Sequence, residues 1–330
     1  MAILANEKIL TLDYWKPANQ LAVGDYVFDQ KGNPVKVKLV QEYFSENCYL
    51  VHLNDFMVLR ADENVEFLLE TPKYRKRTHE YLGKKVFKRP LKPVKLKELV
   101  GKSLKMQRDR SAFSIPTCEP LKFPTQDLPI PPFVFGYWYR NRLMHNYLVA
   151  KDELLEEVKE KFKSHGYKYK RIRGRYNAST VFSVSPRIEQ QLVPFLPTEI
   201  PTNYLLASDE QRVELLRGLL MAKNGEYITK RDTFRMKTTN WNDARTFQYI
   251  AESIGCKTAL HKHKVYKYFY LEFKCRRQLL SFQNSPPIKV HENRRFIKQI
   301  EQVPGRMCVH IETDCEDGTF LVGEGFIACR

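Results

Sequence analysis

The two ends of this 330-residue chain share a residue pattern that its middle lacks. Residues 3–70 are short apolar stretches divided by turn signals at Gly24-Asp25 and Gly32-Asn33-Pro34, with no sustained helical periodicity. After Pro286-Pro287 the same alternation returns, with turns at Pro304-Gly305 and Asp317-Gly318. One β-domain split by an inserted domain accounts for both ends. The expected fold is therefore multi-domain: an all-β domain from residues 1–72 and 290–330, interrupted by an α+β domain over 126–289.

The middle repeats itself. KDELLEEVKEKFKSHG is an amphipathic helix stopped by Gly166. ASDEQRVELLRGLLMAKNG is a helix opened by Ser208 and Asp209, with Leu215, Leu216, Leu219 and Leu220 at helical spacing. NWNDARTFQYIAESIG is another helix ending in glycine. Strand pairs lie between them, and FKSHGYKYK recurs approximately as AESIGCKTALHKHK. The expectation is a pseudo-two-fold domain of αββαββα repeats.

Charge points to the partner. Lysine and arginine total 55 against 38 acids, a formal charge of +17. The excess is clustered, which favours a polyanion over a merely solvated surface. One cluster opens at Lys73, Arg75, Lys76 and Arg77, with Tyr74, Tyr81 and Phe87 interleaved. Prolines dominate IPTCEPLKFPTQDLPIPP, so residues 73–125 read as a basic insertion and linker. No apolar run approaches the roughly 20 residues that span a bilayer. Asn6 and Glu7 fall where a signal peptide would be apolar. The seven cysteines show no CxxC spacing, which speaks for free thiols and against zinc.

Three stretches resemble blocks of intein splicing (HINT) domains, especially those of inteins within phage terminases: KILTLDYWKPANQLAVGDYVFD, CYLVHLNDFMVLRADENVEFLLE and CVHIETDCEDGTFLVGEGFI. Two more resemble the LAGLIDADG endonuclease motifs: FVFGYWYRNR and ELLRGLLMAKNGEY. The resemblance implies a HINT-type β-domain carrying a LAGLIDADG-type insertion. It also implies two packed helices whose C-terminal ends present metal-holding acids for phosphodiester cleavage.

The residues that would carry those chemistries differ from the families. The splicing nucleophile position holds Ala2, with no reactive atom and only Met1 ahead of it. The histidine of the second block aligns with Val65, and the closing His-Asn is replaced by an end at Arg330. The endonuclease acids align with Asn141 and Lys223; an amide ligates metal weakly and an ammonium repels it. Glu226 is the substitute acid if the register slips.

In this family DNA lies along β-strands, apart from the metal site. The strands here are rich in Lys168, Lys170, Arg171, Arg173 and Arg175, in Lys230, Arg231, Arg235 and Lys237, and in Lys262, Lys264 and Lys267. Alternation puts Lys168 and Lys170 on one face and Arg171, Arg173 and Arg175 on one face. His261 and His263 share a strand face, and with no third ligand they suit phosphate or base contact better than metal. The leading expectation is double-stranded DNA binding by an intracellular monomer, in the cytoplasm of a bacterial or phage-infected cell, without splicing, membrane contact or cofactor. Mg2+ enters only if nuclease activity persists. The alternatives are an active site-specific endonuclease using substitute acids, and an intein captured in a splicing-inactivated form.

Overall fold

The computed structural model describes residues 2–70, 91–105, 111–141, 147–175, 179–192, 198–222, 225–275, 277–280 and 294–330, with only the backbone of 173–175. In chain order the first ten strands are β1 (Ala2–Leu4), β2 (Lys8–Leu10), β3 (Trp15–Pro17), β4 (Tyr26–Phe28), β5 (Pro34–Ser45), β6 (Cys48–Leu53), β7 (Val58–Asp62), β8 (Glu66–Leu69), β9 (Lys92–Lys95) and β10 (Ser114–Pro116). There follow α1 (Pro132–Asn141), β11 (Leu148–Lys151), α2 (Leu155–Ser164), β12 (Lys168–Arg175), β13 (Ser179–Ser185), α3 (Ile188–Gln191), α4 (Thr202–Leu205), α5 (Asp209–Met221), β14 (Gly225–Ile228), β15 (Thr233–Thr238), α6 (Trp241–Ser253), β16 (Lys257–Lys262) and β17 (Phe269–Lys274). The chain closes with β18 (Arg294–Val303), β19 (Arg306–Thr313), β20 (Phe320–Val322) and β21 (Ile327–Cys329). Two compact units result: residues 1–121 with 292–330, and residues 122–291.

The first unit is built from strands of both chain ends. Among the described residues, its eight-stranded sheet runs β10-β18-β6-β7-β1-β19-β5-β4, and a four-stranded sheet runs β20-β21-β8-β9. β1 pairs with β19, β6 with β18, and β8 with β21. Ile3, Val51, Leu59, Phe67, Val309 and Phe320 are buried together in its core. The structure corrects the reading of 73–125 as insertion and linker. β9 pairs with β8, β10 pairs with β18, and Leu96, Leu99, Phe113 and Ile115 join the core. The apolar residues there are too widely separated by lysines and prolines to announce strands in isolation, and tertiary packing decides. Lys73, Arg75, Lys76 and Arg77 lie outside the described residues.

The second unit follows local signals closely. Ser208 Oγ accepts from the Gln211 N–H (3.4 Å) while Gln211 Oε1 accepts from the Ser208 N–H (3.2 Å), a capping box that starts α5. Asn240 caps α6 through the N–H of Asn242 at 2.8 Å. After α2 and α6 the chain turns at Gly166 (φ +85°) and Gly255 (φ +83°), where a side chain would be strained. Its sheets are β11-β13-β12 and β14-β15-β17-β16. Their inner faces pack on the helices around Phe133, Tyr137, Phe162, Phe182, Leu215 and Leu219. Tyr137 hydroxyl donates to the Val149 carbonyl at 2.8 Å, and burial pushes its pKa up.

Candidate nucleic-acid interface

The two helices α1 and α5 cross at glycines. A Cβ on Gly136 would sit 2.5 Å from the Leu215 carbonyl oxygen and 3.1 Å from the Leu219 nitrogen. A Cβ on Gly218 would sit 2.1 Å from the Phe133 carbonyl oxygen and 2.8 Å from the Tyr137 nitrogen. Each glycine thus touches the residues that correspond to its own neighbours on the partner helix, as a two-fold axis requires. The same sequence offset carries Asn141 onto Lys223.

Of the intein-type positions, Val65 and Arg330 are brought together through Glu66, and Ala2 lies on β1. Ile3, next to Ala2, pairs with Ala61. Val65 N–H donates to the Asp62 carbonyl at 3.4 Å, and Glu66 and Arg330 exchange backbone hydrogen bonds at 2.9 and 2.8 Å. Ala2 and Val65 are both buried. Neither side chain holds a nucleophile or a proton to transfer.

The chain resembles inteins and LAGLIDADG homing endonucleases.

No known family model matches the chain. In sequence it is similar to the replicative DNA helicase DnaB of Mycobacterium intracellulare, 24% identical over 259 residues, 74% of this chain but 41% of the helicase's length. Among solved structures it is similar to the MchDnaB-1 intein, with 23% identity, 21% of this chain and 53% of that chain covered, and TM-score 0.20. It is also similar to I-DmoI in complex with DNA and Mn, with 12% identity, 52% and 80% covered, and TM-score 0.28.

At the end of the first LAGLIDADG-type helix, Asn141 is buried. Its Nδ2 donates to the Tyr137 carbonyl at 2.8 Å, and its Oδ1 has no hydrogen-bond partner among the described residues. Lys223 lies outside the described residues. Glu226, the substitute acid, projects from β14 into an ion pair with Arg235 at 3.0 Å and another with Lys237 at 3.4 Å. Among the described residues, no group of three or more His, Cys, Asp and Glu is placed to hold a metal ion. Nor is any helix among them long and apolar enough to cross a membrane.

The strand residues divide unevenly. Lys168 and Lys170 stand opposite Ser185 and Ser183 on β13 and are exposed, on the face turned away from the helices. Tyr169 and Arg171 stand opposite Val184 and Phe182, on the row that faces the core, although Arg171 itself is exposed. The even alternation expected from Arg171 to Arg175 is corrected by a register shift between those two residues. A bulge inserts unpaired backbone, so the alternation does not run through. The side chains of Arg173 and Arg175 lie outside the described ones.

On the second sheet Glu226, Arg235, Glu272 and Ala259 form one cross-strand rank on the outer face. Arg235 pairs with both carboxylates, and its Nε donates to Glu272 at 2.9 Å. Burial lowers its pKa, but the two acids outweigh that and raise it. Arg235 is therefore a neutralised, fixed cation. Lys230 and Arg231 occupy the exposed turn between β14 and β15, not a strand face, because Asp232 adopts φ +48° there. Lys262, Lys264 and Lys267 surround the exposed tip of the β16–β17 hairpin.

Two features escape sequence reading. Lys151 Nζ donates to the Gly225 carbonyl at 2.6 Å, tying the end of β11 to the backbone just beyond α5. Rings also gather along the β16–β17 hairpin: His261 stacks on Tyr270 at 4.9 Å, and Arg235 lies over Tyr270 at 5.3 Å.

Proposed function

We propose that the second unit binds double-stranded DNA along the outer faces of its two sheets and does not cut it. The row of Lys168 and Lys170 beside Ser185 and Ser183 carries this reading. Ammonium and hydroxyl donors side by side suit phosphate oxygens, which position a protein on a duplex. The formal charge of +17 adds long-range attraction. In this reading residues 1–72 and 290–330 are a HINT-like domain, 126–289 are a LAGLIDADG-type domain of two pseudo-two-fold halves, of which the second runs α5-β14-β15-α6-β16-β17 and the first has β11 alone between α1 and α2 among the described residues, and the protein acts as a monomer.

The family's divalent metal does not fit the donor set. Asn141 offers a neutral amide oxygen, the matching position is Lys223, and Glu226 is held by two cations. A hard dication seeks several anionic oxygens.

Mobility shift of a long duplex, across graded salt and with Mg2+ or Mn2+ present, tests both halves. Retarded, uncut DNA with log affinity falling linearly in log salt is expected. Discrete cleavage products defeat the non-cutting half; free migration at all salt concentrations defeats the binding half.

A further inference from the structure

The β16–β17 hairpin differs in chemistry from the lysine and serine row of β12–β13. From Lys257 to Leu271 the chain has four lysines and two histidines but no acid. Lys257 lies directly opposite Lys274, so like charges face each other across the pair. Along the same hairpin the rings form a continuous series. His261 stacks on Tyr270 (4.9 Å), Tyr270 meets Tyr268 (6.4 Å), Tyr268 stacks with Tyr266 (6.2 Å), and His263 touches Tyr268 (4.6 Å) and Tyr266 (5.0 Å).

The tip is held in shape. His263 Nδ1 accepts from the N–H of Val265 (3.2 Å) and of Tyr266 (3.0 Å), and the His263 N–H donates to the Tyr268 carbonyl (3.0 Å). Two exposed apolar groups project from this fixed turn: Val265 is 80% and Tyr266 65% accessible. The exposed Tyr266 ring, set between lysines, matches a ligand with a flat π-face and a phosphate on either side.

We propose that this hairpin is a stacking platform for unstacked nucleobases, with Tyr266 as the contacting ring and Lys262, Lys264 and Lys267 on the flanking phosphates. In an intact duplex each base face is already covered by its neighbours, so the tip engages where stacking is interrupted. This rests on the reading of the second unit as DNA-binding. One base stacked on an aromatic ring is expected to strengthen binding by roughly tenfold, about 1.4 kcal/mol.

The test is fluorescence anisotropy on the full chain with two labelled duplexes of one sequence, one fully paired and one with a central three-nucleotide gap. The wild type is expected to bind the gapped duplex roughly tenfold more tightly. Tyr266→Ala should lose that preference while binding the paired duplex as before, and Tyr266→Phe, which keeps the ring, should retain it. Equal wild-type affinity for the two duplexes, or a preference that survives in Tyr266→Ala, overturns the platform and leaves DNA binding intact. Binding to neither duplex overturns the platform together with the DNA reading.

Discussion

Gly136 and Gly218 face each other's helix across the α1–α5 crossing, each leaving room for a carbonyl of the other helix. Either glycine replaced by alanine sets a methyl against backbone that no rotamer change can clear. Gly218→Ala is expected to cost at least 1–3 kcal/mol, roughly the usual cost of overpacking a core. Urea unfolding followed by far-ultraviolet circular dichroism measures it. A loss below about 0.5 kcal/mol, typical of a surface change, would contradict this crossing.

Charge reversal separates the two sheets. Lys168→Glu with Lys170→Glu should weaken binding to any duplex and flatten the salt dependence by roughly two units of slope, about 0.9 for each phosphate no longer neutralised. Anisotropy titrations from low to high salt give the slope directly. An unchanged slope removes these lysines from the interface.

Arg235 should behave differently. Arg235→Ala exposes Glu226 and Glu272 without their shared cation, so the loss in affinity should exceed that of Lys168→Ala. Glu226→Gln should tighten binding, since it removes a negative charge from the same face. If Glu226 were instead the working acid of a nuclease, Glu226→Gln would abolish cleavage rather than strengthen retention.

Glu7 sets a pH dependence in the first unit. Burial raises its carboxyl pKa above the ordinary 4.5, only partly offset by Arg60. The folded state therefore binds this proton more readily than the unfolded one, and the group's contribution to stability falls as pH rises through the window above 4.5. Glu7→Gln keeps an acceptor for the Arg60 N–H and removes the buried charge. It should raise Tm at pH 7 and leave it little changed well below pH 4.5. Calorimetric scans at both pH values decide, and a Tm that drops at pH 7 refutes the sign.

Much of the second unit was legible because its signals are local. Ser208 with Gln211, and the helix stops at Gly166 and Gly255, each lie within a few residues of what they control. The fate of Arg235 was not legible, since Glu226 and Glu272 become its neighbours only through the register of β14, β15 and β17. The register shift in β12 was hidden for a similar reason: a bulge is defined by the partner strand. The strands β9 and β10 were missed because their inward residues make sense only against β8 and β18.

The interleaving of early and late strands in the first unit bears on how the chain matures. As synthesis proceeds from the amino end, β1, β6 and β8 emerge long before their partners β19, β18 and β21. Among the described residues, the strands of the helix-rich stretch made in the interval pair only with one another, so it can fold on leaving the ribosome. The early strands meanwhile wait with unsatisfied edges, the condition under which nascent chains call on chaperones.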